Sequence, residues 1–306
     1  MINKYKFRKL TWIDVESPTP EEIRKLVDEH GIAPLVAEEL LVPNMKPKVD
    51  VYPNHLYLIL RFPSLKKNDG IDPEDSQEID FVIGKNFIIT AHYDHIEQLS
   101  LFSKMFEVNS ILDRSPIGDH AGFIFYYMIK NIYHHLLEDL EYARSTLLSA
   151  EKKVFHGEEK QMVFKLSEIN RDILFFKEAL NLHLEVLTSF ENAGKKFFGE
   201  EFDYYLRDII GEFYKVQNAT QNIKDFLEEL RRTNDSLLST KQNEVMKTFT
   251  IIAFIFLPLS FIASIFSMRL SYTPLQDSPN GFYQVISIMA AVGILTFALF
   301  KWKKWL

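Results

Sequence analysis

The chain of 306 residues contains no cysteine. This absence excludes disulfides, thiolate metal sites and enzymes that rely on a thiol nucleophile. The sequence also lacks a glycine-rich phosphate loop, a His-Glu-x-x-His pair and a nucleophile elbow, which are sequence signs of phosphoryl transfer, metalloprotease and hydrolase chemistry. We therefore expect a protein that is not an enzyme.

Charge is missing from two long runs near the C-terminus, residues 248–268 and 278–300. As helices that rise about 1.5 Å per residue, each would reach roughly 30 Å, the thickness of a bilayer's hydrocarbon core. A buried helix of a soluble domain normally keeps a polar stripe with charges, and these runs have none. The pattern predicts a membrane protein with two spans.

Lysines lie outside both runs, at Lys241, Lys247, Lys301, Lys303 and Lys304. The loop between the runs carries one arginine, Arg269, and one acid, Asp277. The positive-inside rule then places both termini in the cytoplasm. The first nine residues lack the apolar core of a cleavable signal peptide, so we expect a two-span protein of the cell membrane with a large cytosolic N-terminal part.

The N-terminal part is acidic. The whole chain has a net charge of −7, and because residues 246–306 carry +4, residues 1–245 carry −11. Nucleic-acid binding rewards a basic surface, whereas an acidic body attracts cations. We expect cations rather than nucleic acid as partners.

Short elements alternate in the first third of the chain. Strands are predicted at 11–15, at 55–62 and at 80–91, the last folding as a hairpin at Gly84-Lys85-Asn86. Residues 17–22 are typical of a helix start, with a capping residue, an early proline and acids. The acidic stretch 66–75 lacks the ligand spacing of a calcium loop and is predicted to be a solvated hairpin loop.

Long helices are predicted to follow Gly122. Residues 123–156 and 158–193 form an expected antiparallel pair, and residues 212–257 contain neither glycine nor proline and run into the first apolar segment. The predicted fold class is an α+β cytosolic domain with long stalk helices joined to a two-span helical membrane domain. Its three parts are an α/β domain at 1–120, a long-helix and stalk region at 121–245, and a two-helix pore domain with a basic tail at 246–306.

Small or polar residues recur every three or four positions along the third long helix. This polar seam consists of Asn243, Met246, Thr250, Ala253, Leu257, Ser260, Ser264 and Ser267. One interpretation is close packing of membrane helices through small residues. The other is a water-bearing pore lined by the seam, which several copies of the chain would have to enclose.

Several motifs resemble the CorA-type magnesium transporters. They are Asn-Glu-Val-Met-Lys at 243–247, Ile-Ile-Ala at 251–253, Phe-Leu-Pro-Leu-Ser-Phe-Ile-Ala at 256–263, Trp-Ile-Asp at 12–14, Pro-Leu-Val-Ala-Glu-Glu-Leu-Leu at 34–41, Pro-Lys-Val-Asp-Val-Tyr at 47–52 and Gly-Lys-Asn-Phe-Ile-Ile-Thr at 84–90. The resemblance implies a funnel-shaped homopentamer whose first membrane helix lines the pore. It also implies transport of divalent cations by facilitated permeation, with magnesium the default ion and cobalt, nickel or zinc as alternatives.

The chain departs from that family at the expected pore mouth. Where the family has Gly-Met-Asn, this sequence has Ser267, Met268 and Arg269. A fixed positive charge opposes entry of a divalent cation, so we expect Arg269 to lower divalent influx or to change ion preference, unless its side chain extends outward to lipid headgroups. A non-conducting or regulatory relative with the same scaffold, or a pore for another ion, are the alternatives.

A second departure concerns regulation. The resemblance implies a regulatory magnesium shared between Glu39 and a stalk acid of the neighbouring subunit, but the stalk position holds Arg232. Glu39 opposite Arg232 would form a direct ion pair in place of a metal site. The alternative is an exposed stalk charge that contributes little.

Overall fold

The computed structural model describes residues 1–44, 46–63, 76–111, 118–268 and 280–303. The chain divides into two compact units, Met1–Arg231 and Arg232–Leu306. The division into three parts that the sequence suggested stays a prediction.

The first unit is built around one six-stranded sheet. Its strands are β1 (Ile2–Phe7), β2 (Leu10–Glu16), β3 (Lys48–Val51), β4 (His55–Phe62), β5 (Gln77–Gly84) and β6 (Phe87–His92), in the order β1-β2-β6-β5-β4-β3. Strands β2 and β6 pair in parallel and the other neighbours are antiparallel. The predicted strands at 55–62 and 11–15 and the hairpin between β5 and β6 are confirmed.

Helices α1 (Pro20–His30) and α2 (Pro34–Glu39) contribute to a core with the sheet. The predicted start of α1 is confirmed, since Thr19 is its N-cap, Pro20 follows, and Glu22 completes a capping box. Ile23 and Leu26 of α1 are buried in this core together with Tyr57 of β4. Residues 66–75, the predicted hairpin loop, lie outside the described residues.

Longer helices complete the unit: α3 (Glu97–Ile111), α4 (Gly122–Phe155), α5 (Glu159–Leu180), α6 (His183–Phe198) and the first part of α7 (Asp203–Ser267). Phe125 of α4 packs edge-on against Phe81 of β5, with ring centroids 5.2 Å apart. Helix α7 extends beyond the predicted segment 212–257 at both ends and contains Pro258.

The prediction of one helix over residues 158–193 is wrong, because the chain forms α5 and α6 with a turn at 181–182. The reason lies in His183, which is fully buried at the start of α6. Its Nδ1 accepts a hydrogen bond from the Tyr133 hydroxyl at 2.9 Å, and its Nε2 donates to the Arg61 carbonyl at 2.7 Å. Burial lowers the pKa of His183 to about 4, so the ring stays neutral and these two bonds fix where α6 begins.

The second unit contains the rest of α7 and helix α8 (Gly281–Trp302). Both α7 and α8 contain an apolar segment that is long enough to cross a membrane. The predicted spans at 248–268 and 278–300 fall on these helices: the first ends one residue beyond the end of α7, and the second ends two residues before the end of α8.

Candidate ion pathway

The side of α7 that faces α8 is defined by two contacts. The ring centroids of Phe254 and Phe300 are 6.1 Å apart, and a Cβ placed on Gly293 would lie 3.9 Å from Leu259 Cδ2. The least exposed residues of this part of α7 fall on the same side: Ile251, Ile255, Pro258, Leu259, Ile262 and Phe266. On α8 the corresponding stripe is Val285, Met289, Val292, Gly293, Thr296 and Phe300.

The polar seam lies on roughly the opposite side of α7. With about 100° of rotation per residue, its membrane part is centred about 170° from the α8-facing stripe. Its residues are exposed, apart from Thr250, which is half-buried. Leu257 is 71% exposed and Met246 is 59% exposed. The small residues of the seam are therefore not used for packing against α8 of the same chain.

Hydroxyl groups along the seam present oxygen atoms outward. Thr250 Oγ1 donates to the Met246 carbonyl at 2.8 Å, and Ser267 Oγ donates to the Ser264 carbonyl at 3.0 Å. Because their protons are used within the helix, their lone pairs remain available as acceptors. Acceptor oxygens are the groups that interact best with the water shell of a hard cation such as Mg²⁺.

At the predicted pore mouth, Ser267 ends α7 and Met268 is 57% exposed. Arg269 lies outside the described residues. Its predicted effect on ion entry stays a prediction.

Glu39, the predicted regulatory ligand, ends α2 and already has a cationic partner. Lys48 of β3 lies 2.8 Å from Glu39 Oε1 and 2.7 Å from Oε2, and it also lies 2.7 Å from Asp50 Oδ2. Burial alone would lower the pKa of Lys48, but the hydrogen bonds to Asp50 and Glu39 outweigh it and raise that pKa. Lys48 is therefore charged at neutral pH, and a metal ion at Glu39 would have to displace it.

Among the residues that the structure describes, no group of three or more His, Asp or Glu side chains is arranged to hold a metal ion. Arg232 is exposed on α7. Its pairing with Glu39 of a neighbouring subunit and a metal at Glu39 both stay predictions. Sequence reasoning missed Lys48, because no local pattern links residues 39 and 48, which the β3–β4 edge of the sheet brings together.

Solved structures share this fold. The complete structure of the CorA magnesium transporter from Methanocaldococcus jannaschii aligns with a TM-score of 0.84 at 21% identity, over 99% of this chain and 94% of that one. The full-length CmaX protein aligns with a TM-score of 0.74 at 17% identity, over 97% of this chain and 89% of that one. The α+β domain, the long helix and the two C-terminal apolar helices are thus confirmed as a CorA-like fold.

Sequence comparison extends over nearly the whole chain. The cobalt/magnesium transport protein CorA of Thermotoga maritima is 26% identical over 97% of this chain and 83% of its own length. The protein of the same name from Methanocaldococcus jannaschii is 23% identical over 97% of this chain and 92% of its own length. Residues 7–304 match the family described as CorA-like Mg²⁺ transporter protein. The chain is a membrane protein of the CorA-like Mg²⁺ transporter family.

Proposed function

We propose that this chain transports divalent metal cations by facilitated permeation, with magnesium as the principal ion and cobalt, nickel or zinc as alternatives. Several copies, five by analogy with the family, would enclose a pore lined by the polar seam of α7. The ion's concentration gradient and the membrane potential would drive the movement. The potential alone contributes about 2.3 kcal/mol per charge per 100 mV, roughly twice that for a divalent ion.

The position of the seam carries this proposal. A single pair of spans cannot enclose a channel, so a pore requires a polar surface that the chain leaves open for its copies. The seam meets this requirement because it lies away from α8 and is exposed from Ala253 to Ser267, while hydroxyl oxygens recur along it. Lipid in contact with this face would supply no donors to the acceptor lone pairs of those oxygens, which is unfavourable.

Magnesium flux into liposomes tests the proposal. Purified full-length protein is reconstituted, and uptake is followed with a magnesium-sensitive dye under an inside-negative potential. We expect Ser260→Phe to abolish uptake, because bulky rings in every copy would fill the channel. Ala263→Phe is the matched control, since Ala263 is an exposed small residue of the same helix that belongs neither to the seam nor to the α8-facing stripe.

If uptake by Ser260→Phe equals uptake by the wild type, the ion does not pass along the seam. Absence of wild-type uptake of all four metal ions would instead favour the non-conducting or regulatory alternative. The mass of the purified particle, measured for each variant, shows whether the copies still assemble. A monomeric wild-type particle would contradict the pore.

Arg269 supports a second candidate, a pore with slow divalent entry or altered selectivity. At about 8 Å in a water-like dielectric, the repulsion between one arginine and a divalent ion is ~1 kcal/mol. For a ring of five arginines, screening by salt leaves a total repulsion of about 2 kcal/mol. Arg269→Asn is then expected to increase magnesium uptake by up to about thirtyfold. Unchanged uptake per assembled particle would show that the arginine does not face the ion.

A further inference from the structure

Two carboxyl groups lie side by side in the first unit, on strand β5. Glu78 and Asp80 are two positions apart, so their side chains share one face of the sheet. Glu78 is 6% exposed and Asp80 is fully buried. Charged carboxylates are rarely buried so completely without a cationic partner.

The hydrogen bonds around this pair leave one donor missing. Asp80 Oδ2 accepts from the hydroxyls of Tyr57 at 3.3 Å and Tyr93 at 3.5 Å, while Glu78 Oε1 accepts from the backbone N–H of Asn44 at 2.7 Å. The carboxyl groups of Glu78 and Asp80 also interact with each other. Asp80 Oδ1 and Glu78 Oε2 are buried acceptors for which the described residues supply no donor. One proton between the two carboxyl groups would satisfy both.

The nearby cations do not neutralise Asp80. The charged and titratable groups that act on the pair are Glu39 of α2, Tyr57 and Arg61 of β4, and Tyr93 after β6. Lys48 and Asp50 lie on β3, the strand beyond β4. Lys48 is held by Glu39 and Asp50. Arg61 lies opposite Glu78 in the register of β4 and β5, and its positive charge favours the ionised form of Glu78.

These surroundings place the proton on Asp80. Burial raises the pKa of Asp80 well above its usual value, and the negative charge of Glu78 raises it further. Burial also raises the pKa of Glu78, but the Asn44 amide and Arg61 oppose that shift. The balance of these effects favours Asp80 as the acid and Glu78 as the acceptor of its proton.

The pair is connected to α2 and to the turn that follows it. Asn44 donates its amide to Glu78, and the Tyr93 hydroxyl that lies near Asp80 also lies 3.3 Å from the carbonyl oxygen of Glu39. We propose that Glu78 and Asp80 form a proton-binding site that holds one proton at neutral pH, and that loss of this proton loosens α2 and residues 40–44. This inference does not depend on the transported ion.

The direction of the pH effect follows from the difference between the protonated and the ionised form of Asp80. A carboxyl group whose pKa is higher in the folded than in the unfolded state contributes stability that is fully present below its ordinary pKa. That contribution is lost as the pH rises through the raised pKa. Above that pH, two adjacent buried negative charges repel each other, and admitting water relieves the repulsion at the expense of the bonds to Asn44 and Tyr93. The loosening is thus an effect of alkaline pH.

Infrared difference spectroscopy of the full-length protein in detergent tests for the proton directly. We expect a carbonyl band of a protonated carboxylic acid at neutral pH that disappears on alkaline titration. Asp80→Asn should remove it while keeping a donor toward Glu78. Glu78→Gln should keep the band but make it disappear at a lower pH, because the negative charge of Glu78 no longer raises the pKa of Asp80 and burial alone does. Glu38→Gln, an exposed neighbour of Glu39, should leave the band unchanged. A band that persists in Asp80→Asn, or no band in the wild type, would overturn the assignment.

Hydrogen–deuterium exchange of the segment 34–44 tests the consequence. The pH dependence of overall stability is not a specific readout, because the pKa of a second buried group is also shifted. The ion pair with Asp14 raises the pKa of His92 despite the opposing effect of burial. We expect protection of this segment to fall with rising pH in the wild type and in Glu38→Gln, beyond the intrinsic rate increase, and to be insensitive to pH in Asp80→Asn. Equal pH dependence in all three proteins would show that the proton does not control this segment.

Discussion

The two compact units place most of their large apolar side chains in opposite environments. In residues 1–231, Trp12, Phe81 and Phe125 are fully buried. In residues 232–306, Phe256 is 63% and Leu257 is 71% exposed. Of the apolar helical segments long enough to cross a membrane, 6% of the first and 0% of the second is buried. The same residue types therefore stabilise the two units by different means.

The difference reflects the solvent of each unit. In water, burial of apolar surface drives the sheet and its helices together. In a bilayer the lipid is as apolar as the side chains, so helices satisfy their own backbone hydrogen bonds and associate through close packing and polar contacts. Exposed apolar surface in the second unit is thus expected to meet lipid, while the exposed polar seam is expected to face the pore that copies of α7 enclose.

The largest expected effect is truncation of a core phenylalanine. Phe81→Ala should destabilise the first unit by about 3–5 kcal/mol, because it removes a fully buried ring that packs against Phe125. Phe297→Ala, at a position 49% exposed on α8, should cost less than about 0.5 kcal/mol. Urea unfolding of full-length protein in detergent, followed by tryptophan fluorescence and circular dichroism, compares the two.

Trp12 is well placed to report on this unit because it is fully buried in it. To isolate its signal, Trp302 and Trp305 are replaced by phenylalanine in every protein that is compared. Equal destabilisation by both alanine variants would show that Phe297 is packed in the assembly and would remove the contrast between the units.

A lysine placed in an exposed apolar position has the next largest expected effect. Phe256→Lys should cost about 2.5–3.5 kcal/mol for membrane insertion, since Phe256 lies within the first span. Phe164→Lys, at a position on α5 that is 81% exposed, should leave expression and insertion unchanged, because water already surrounds it. The membrane-integrated fraction of each variant, measured after alkaline extraction, checks the comparison. Equal insertion of both variants would argue that residue 256 does not contact lipid.

Much of this architecture follows from local patterns in the sequence. Runs of β-branched and aromatic residues located β4 and the β5–β6 hairpin, and uncharged runs located the two spans. Other elements have no such signal. The four residues of β3 form a strand because β4 pairs with them, and the break before His183 depends on bonds to Tyr133 and Arg61, which are distant in sequence.

The candidate ion pathway was likewise predictable from the sequence only in part. Helical periodicity is a local property, so the seam was predictable as a set of residues on one side of α7. The side that α8 occupies depends on contacts such as that between Gly293 and Leu259, which no spacing reveals. The pairing of Glu39 with Lys48 and the burial of Glu78 and Asp80 likewise depend on tertiary structure, and burial changes the charge state that a sequence suggests.

The smallest expected effect compares threonines at two kinds of helical position. Thr19 caps α1, where Glu22 donates its amide to Thr19 Oγ1 at 3.4 Å and the Thr19 amide donates to Glu22 Oε2 at 3.1 Å. Thr19→Ala should therefore cost about 1 kcal/mol, and Thr19→Ser should restore most of it. Thr240 lies inside α7, exposed, with its hydroxyl donating to the Ser236 carbonyl at 2.9 Å.

At Thr240 the same substitution should have the opposite sign. Alanine has the higher helix propensity, so Thr240→Ala should stabilise α7 by up to about 0.7 kcal/mol. Thermal unfolding followed by circular dichroism at a helix-sensitive wavelength measures both variants against the wild type. A loss of stability at Thr240 would mean that its side chain is packed by another copy of α7, because neither solvent nor the chain's own helix gives threonine an advantage there.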